Sequence, residues 1–235
     1  MINRLVVTTE QIQGDLINLD SHQLHYLLRV LRLGNNDRFI ALDGLGHSWM
    51  AEIIDKSAKI VELIDVDAEL PIFLSLITAL PKGSGYEQVI RCCTELGVNS
   101  FMPVISDRTI IKPSNNKIQR WRKIVTEAAE QSERQIVPTI FEPVKFTAAI
   151  DHIQSESDKY ICIARGDIPS LWHCLLNSES SSIVIATGCE GGWSDQEVEK
   201  AIASGFKPVS LGSRILRAVT APIVVSSLVS AISDR

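Results

Sequence analysis

Two stretches late in the chain bring together the residue types of a ligand-binding loop. Ala186-Thr187-Gly188-Cys189-Glu190-Gly191-Gly192-Trp193-Ser194 follows the β-branched run Ile183-Val184-Ile185, and Leu211-Gly212-Ser213-Arg214-Ile215-Leu216-Arg217 follows an apolar run around Val209. A helical pattern succeeds each, so both read as strand-to-helix loops. Open α/β sheets bind ligands in the crevice outside the carboxyl ends of their strands. Glycine at 188, 191, 192 and 212 lets backbone amides approach such a ligand closely. One loop of this kind is an ordinary turn; two of them, expected on neighbouring strands, define a site. Arg214 and Arg217 stand in an otherwise apolar stretch with no acid nearby in sequence, which favours work on a ligand over a structural ion pair. Glu190, the one acid within the loop pair, can orient a ligand or simply face the positive end of the helix that follows.

The elements that must hold these loops are legible from periodicity. Residues 1–69 read as a small β-rich unit. Asp20-Ser21 caps a helix over 21–33 whose apolar stripe is Leu24, Leu27, Leu28 and Leu31, with Gly34 as its stop. Strands are expected at 39–42, 49–54 and 60–66, and Ala68-Glu69-Leu70-Pro71 reads as a linker. From 72 to 235 strands and helices alternate. The strands fall at 73–79, 101–105, 160–164, 183–186 and 209–211. The helices fall at 85–96 (stopped by Gly97), 116–133, 145–153, 195–205 and 220–230, the fourth opened by the capping box Ser194-Asp195-Gln196-Glu197. That order indicates an α/β domain with a parallel sheet sandwiched by helices. The first strand-to-helix turn, Leu80-Pro81-Lys82-Gly83-Ser84-Gly85, lacks the dinucleotide-binding glycine pattern, and no P-loop sequence occurs.

Composition narrows the class further. Of the 235 residues 45% are hydrophobic and 22% charged, as in an ordinary globular protein, and no apolar run is long enough to span a bilayer. Met1-Ile2-Asn3-Arg4-Leu5 lacks the apolar core of a signal peptide, so a cytoplasmic location is expected. The five cysteines form no C-x-x-C pair and read as reduced thiols; His22 and His25 have no second ligand cluster, and no metal site is expected. A net charge of −5 argues against nucleic acid, but its distribution softens the objection. Residues 108–134 carry seven bases against three acids, and 205–222 carry Lys207, Arg214 and Arg217 with no acid. A solvated helix face explains the first run as well as an RNA contact does.

Five motifs then occur in a fixed order: Leu80-Pro81-Lys82-Gly83, Glu95-Leu96-Gly97-Val98, Glu127-Ala128-Ala129-Glu130-Gln131-Ser132, Gly188-x-Glu190-Gly191-Gly192 and Leu211-Gly212-x-Arg214-x-Leu216-Arg217. Together with His25-Tyr26-Leu27-Leu28-Arg29-Val30-Leu31-Arg32 they make nearly the whole chain resemble the RsmE family, bacterial rRNA uracil-N3 methyltransferases of the SPOUT class. The resemblance implies a PUA-like RNA-binding β-barrel over 1–69 and a SPOUT methyltransferase domain over 72–235. In that domain a trefoil knot forms as residues 211–218 pass through a loop containing part of 162–192. It also implies a homodimer, S-adenosylmethionine bent into the knot, and 16S rRNA of the small ribosomal subunit bound across both subunits. Two positions depart from the family pattern: Cys189 stands where proline is usual, and Val219 where glutamate is usual.

On that resemblance Gly188, Glu190, Gly191, Gly192, Leu211, Gly212, Ile215 and Leu216 are expected at the cofactor, though packing explains the three apolar residues equally well. Arg217 is expected at the uracil oxygen that gains negative charge as N3 loses its proton, with Glu190 beside the reacting groups. Arg4, Arg29, Arg32, Lys82, Arg134 and Arg214 are the expected RNA contacts, Arg214 either at the uracil oxygen like Arg217 or on a phosphate. No residue stands out as general base, leaving a water or the RNA itself for that role. Two other readings remain: a SPOUT ribose 2′-O-methyltransferase on tRNA or rRNA, and a catalytically silent RNA-binding assembly protein, for which Val219 is the one positive sign.

Overall fold

The structure is a computed structural model that describes residues 2–65, 68–151, 153 and 156–233. The chain divides into two compact units. The first comprises Met1–Glu69 and Thr126–Val137, the second Leu70–Val125 and Pro138–Arg235.

The first unit is built on a curled, half-barrel sheet. Its strands are β1 (Arg4–Val6), β2 (Ile12–Gln13), β3 (Leu16–Asn18), β4 (Arg38–Leu42), β5 (Ser48–Ile54) and β6 (Ser57–Ile64), in the order β1-β4-β5-β6-β3-β2. Pairing is antiparallel except for β1 against β4. Leu5, Val7, Ile17, Leu27, Phe39, Ala41, Ala51 and Ile53 form its core. The three short strands β1 to β3 were not expected, because two- and three-residue segments carry no readable period. The strand expected at 60–66 begins earlier, at Ser57; its last position, Val66, lies outside the described residues.

The expected helix over 21–33 is shorter than its apolar stripe suggests. Asp20 caps α1 (Ser21–His25) by accepting from the Gln23 amide at 2.8 Å, but Tyr26–Val30 then widens into a π-turn. The left-handed stop falls at Arg32, φ 59°, rather than at Gly34. A side chain in that region is strained, and the π-turn sets where the helix has to end. Arg29 and Arg32 are both exposed in consequence.

The segment Thr126–Val137 brings several polar side chains into this unit, Arg134 and Gln135 among them buried. Glu130 accepts from the Val6 amide at 2.7 Å, and Glu133 pairs with Arg4 at 2.7 Å. Burial pushes the Glu130 carboxyl up, the Val6 amide draws it back, and neighbouring Glu127 adds to the rise. Arg134 is 2% exposed. Its Nη2 lies 2.7 Å from Glu69 Oε2, while Glu69 Oε1 accepts from the amides of Gln135 (3.1 Å) and Ile136 (3.0 Å).

The second unit is an all-parallel sheet covered by helices. Its elements are β7 (Phe73–Ala79), α2 (Gly85–Glu95), β8 (Ser100–Ile105), α3 (Asn115–Gln131, whose last turns belong to the first unit), β9 (Thr139–Ile140), β10 (Val144–Lys145), α4 (Phe146–Asp151), β11 (Asp158–Cys162), α5 (Leu171–Leu176), β12 (Ser182–Thr187), α6 (Asp195–Ala203), β13 (Lys207–Val209) and α7 (Thr220–Ser233). The sheet order is β10-β8-β7-β12-β11-β13, with β9 also pairing β8. All but the first residue of β7 are buried, as its continuous apolar run requires of a central parallel strand. Gly97 stops α2 as expected: its φ is +90°, and a Cβ there would lie 2.5 Å from Leu70 Cδ1. The helix expected over 145–153 is α4; position 152 lies outside the described residues.

Two differences bear on the site. The last strand is Lys207–Val209, so Leu211 belongs to the loop. And β11 lies between β12 and β13, so the two glycine loops leave strands that are one apart rather than neighbours. Sequence order hid this, because β12 follows β11 in the chain but turns inward to pair with β7.

Candidate active site at the switch point of the sheet

Starting from β7, the chain first builds outward through β8 and then crosses to the other side to build β12, β11 and β13. The order therefore reverses between β7 and β12, and ligands of open α/β sheets bind outside the carboxyl ends of strands at such a point. The two loops that meet there are 80–84 and 188–194. Glu190 Oε1 accepts from the Lys82 amide at 3.0 Å, joining them directly. Lys117 Nζ donates to the Gly83 carbonyl at 3.0 Å from the other side.

The glycine loop is a tight turn closed by the Gly192 amide on the Cys189 carbonyl at 2.9 Å, with Glu190 and Gly191 at its apex. A Cβ on Gly188 would lie 3.2 Å from the Gly192 Cα, so the turn folds back on its own first residue. Cys189 is buried, its Sγ 3.7 Å from Ser106 Oγ. Trp193 packs on Phe146 with ring centroids 4.3 Å apart. The expected capping box opens α6: the Glu197 amide donates to Ser194 Oγ at 3.2 Å, and Glu197 Oε2 accepts from the Ser194 amide at 2.8 Å.

The loop after β8 presses against the same turn, and sequence reasoning missed it. Asp107 is held twice, its amide donating to Glu197 Oε1 at 2.9 Å and its Oδ2 accepting from Ser194 Oγ at 2.6 Å. Arg108 Nη1 donates to the Gly191 carbonyl at 2.6 Å. In sequence Arg108 is one of seven bases in a basic run; the available signal was its place three residues past a buried strand.

The second loop, 210–219, is open. Arg214 and Arg217 are exposed and have no acid partner among the described residues. Ile215 is 64% exposed, a large apolar side chain left mostly uncovered in the single chain. Leu211 and Leu216 are half-buried, and Gly212 is fixed by its amide on Ser210 Oγ at 3.1 Å. The Arg217 carbonyl accepts from the amides of Thr220 (2.9 Å) and Ala221 (3.0 Å), so its backbone starts α7 while its side chain stays free. Val219 packs against α2: its Cγ2 would lie 2.8 Å from a Cβ on Gly85. The position implied to hold a glutamate thus makes an apolar contact here.

The expected RNA contacts divide into two groups. Lys82, Arg29, Arg32 and Arg214 are exposed and carry no acid partner among the described residues. Arg4 is mostly covered and paired with Glu133, and Arg134 is enclosed with Glu69. For Arg134 the expectation of an RNA contact gives way to a structural one, because the guanidinium is not presented to solvent.

Among the described residues, the buried atoms Thr78 Oγ1, Thr187 Oγ1 and Trp193 Nε1 at the switch point have no protein partner. Thr78 and Thr187 face each other in register on the last rung of the β7–β12 pair. Buried donors are rarely left unpaired, and such atoms at a ligand crevice mark where a polar group belongs.

An RNA methyltransferase domain matches residues 68–230 and an RNA methyltransferase PUA domain matches residues 19–66, which defines the class. Among relatives, "Ribosomal RNA small subunit methyltransferase E" of Synechocystis is 48% identical over all of this chain and 79% of its own length. The Bacillus subtilis protein of the same name is 31% identical over 95% and 93%. The crystal structure of ribosomal RNA small subunit methyltransferase E from Neisseria gonorrhoeae bound to S-adenosyl methionine superposes with a TM-score of 0.87 at 31% identity, covering 97% of this chain and 96% of that one. The chain belongs to the ribosomal RNA small subunit methyltransferase E family.

Proposed function

We propose that this protein methylates N3 of a uridine in 16S rRNA, using S-adenosylmethionine. The observation that carries the reading is the site at the β7–β12 switch point, where Glu190 ties the glycine turn to the Lys82 loop above unpartnered buried donors. The donor set fits the cofactor: a glycine-lined backbone and one carboxylate. The loop residues Gly188, Gly191, Gly192, Leu211, Gly212, Ile215 and Leu216 would hold it. When bound, it supplies an electrophilic methyl group.

The chain's own residues do the remaining work. Methyl transfer requires an in-line arrangement, so positioning supplies much of the rate. The pinned turn at 188–192 and the 80–84 loop provide one rigid wall of the site. Uracil N3 carries a proton on the pairing edge, so the base must be unpaired when it enters. The exposed guanidinium of Arg217 stabilises the uracil oxygen as that proton passes to a water or to the RNA, and Arg214 takes a phosphate. Glu190 keeps Oε2 for an orienting contact while Oε1 holds Lys82. Arg29, Arg32 and Lys82 supply further RNA contacts.

A twofold dimer and a threaded C-terminus belong to the same reading. After β13 at the sheet edge the chain returns to the middle, where α7 packs on α2, β7 and β12; that return supports the knot. Exposed Ile215 and the net charge of −5 support a second subunit that adds cover and basic surface. A cytoplasmic location follows from the rRNA substrate, and among the described residues no helix is long and apolar enough to cross a membrane.

Calorimetry separates the enzyme from a silent RNA-binding protein. S-Adenosylhomocysteine is expected to bind with about one equivalent per chain, and Glu190→Ala, which frees the Lys82 loop, to weaken it roughly tenfold, the equivalent of about 1.4 kcal/mol for a charged hydrogen bond. Absence of binding to the parent protein would contradict the proposal.

A further inference from the structure

We infer that Arg108 is a positioning residue that couples the cofactor loop to the RNA, an inference that rests on the methyltransferase reading above. Three observations carry it. The Arg108 Nη1 holds the Gly191 carbonyl at 2.6 Å, at the apex of the glycine turn. A Cβ on Gly191 would lie 3.0 Å from Arg108 Cβ and 3.1 Å from its Cδ, so the arginine stem lies flat along the turn. The neighbouring Asp107 is anchored through its amide to Glu197, which is 3% exposed, and through its carboxylate to Ser194.

These contacts change what Gly191 means. Its missing side chain makes room for Arg108, whatever else approaches the loop. The arginine is exposed and has no acid partner among the described residues, so one N–H is committed to the carbonyl and the rest of the fork faces outward. A guanidinium offers five donors in a rigid plane, enough to hold a carbonyl and an anionic oxygen together. A phosphate bound to the outer N–H groups therefore presses the guanidinium onto Gly191 and fixes the turn. A cofactor that fixes the turn in turn presents the guanidinium to the phosphate. Linkage makes the two effects equal: each ligand strengthens the other by the same factor.

The test uses the full chain, S-adenosylhomocysteine and small-subunit rRNA from cells lacking the modification. RNA affinity is measured with and without saturating S-adenosylhomocysteine. The parent is expected to bind RNA about tenfold more tightly in its presence, within the usual range of coupling between sites. Arg108→Ala is expected to reduce that factor to about one and to lower the salt dependence of RNA binding by about one counterion. Arg108→Lys keeps the charge but loses the planar fork that can hold the carbonyl and an anionic oxygen together. It is expected to abolish the coupling while leaving RNA affinity without the ligand within about twofold of the parent, an effect no simple phosphate tether produces. Coupling equal to the parent's in either variant, or no coupling in a parent that binds both ligands, would overturn the inference. A parent that fails to bind S-adenosylhomocysteine defeats the methyltransferase reading instead.

Discussion

Arg134→Ala is expected to lower the stability of the first unit by about 3–5 kcal/mol, the usual effect of removing one partner from a buried ion pair. The loss is large because Glu69 is left behind. Its two oxygens accept from Arg134 and from two backbone amides, so the carboxylate cannot rotate out to water without freeing those amides as well. For a chain of this size the melting point should fall by roughly 6–20 °C. Urea unfolding followed through Trp49 measures the loss, since Trp49 is the only tryptophan of that unit. Glu69→Ala should lose a similar amount, and the double variant distinctly less than the sum, because the two substitutions remove one interaction. A loss below about 1 kcal/mol with RNA affinity abolished would mean that the guanidinium turns outward to the substrate, as the family resemblance implied.

Arg217→Ala is expected to lower the rate of methylation of bound RNA on the order of a hundredfold or more, the typical effect of deleting one transition-state donor. Its charge is needed most when uracil N3 gives up its proton, so RNA affinity should change far less than the rate. The exposed side chain, with no acid partner among the described residues, on a backbone that is fixed to the start of α7 suits that role. Lys112 provides the contrast. It is exposed on the loop after β8, and Lys112→Ala should weaken RNA binding modestly, reduce its salt dependence by about one counterion and leave the bound-state rate unchanged. Single-turnover methylation at saturating RNA decides between them. Equal rates for the two variants would remove Arg217 from the chemistry.

What the sequence revealed is what local chemistry writes. The Ser194 to Glu197 capping box, the Gly97 stop and the apolar run of β7 each depend on neighbours within a few residues, and each stands where periodicity placed it. The glycine turn was equally visible, because its closure needs only Cys189 and Gly192. Features set by distant partners were not. Arg108 meets Gly191 across 83 positions, and Glu190 meets Lys82 across 108. Arg134 looked like a surface base because its partner Glu69 lies 65 residues earlier. The insertion of β11 between β12 and β13 follows from sheet topology, which no strand's own residues encode. In α1 a regular leucine stripe promised a longer helix than forms, since periodicity cannot reveal a π-turn followed by a left-handed arginine.

The most direct test of a uracil-N3 methyltransferase acting on 16S rRNA is mass mapping of small-subunit rRNA nucleosides from a strain lacking this protein. One N3-methyluridine is expected to vanish on deletion, to return with the parent protein and to stay absent with Arg217→Ala, while ribose-methylated nucleosides do not change. Loss of a 2′-O-methyl nucleoside in its place, or an unaltered nucleoside profile, would contradict it.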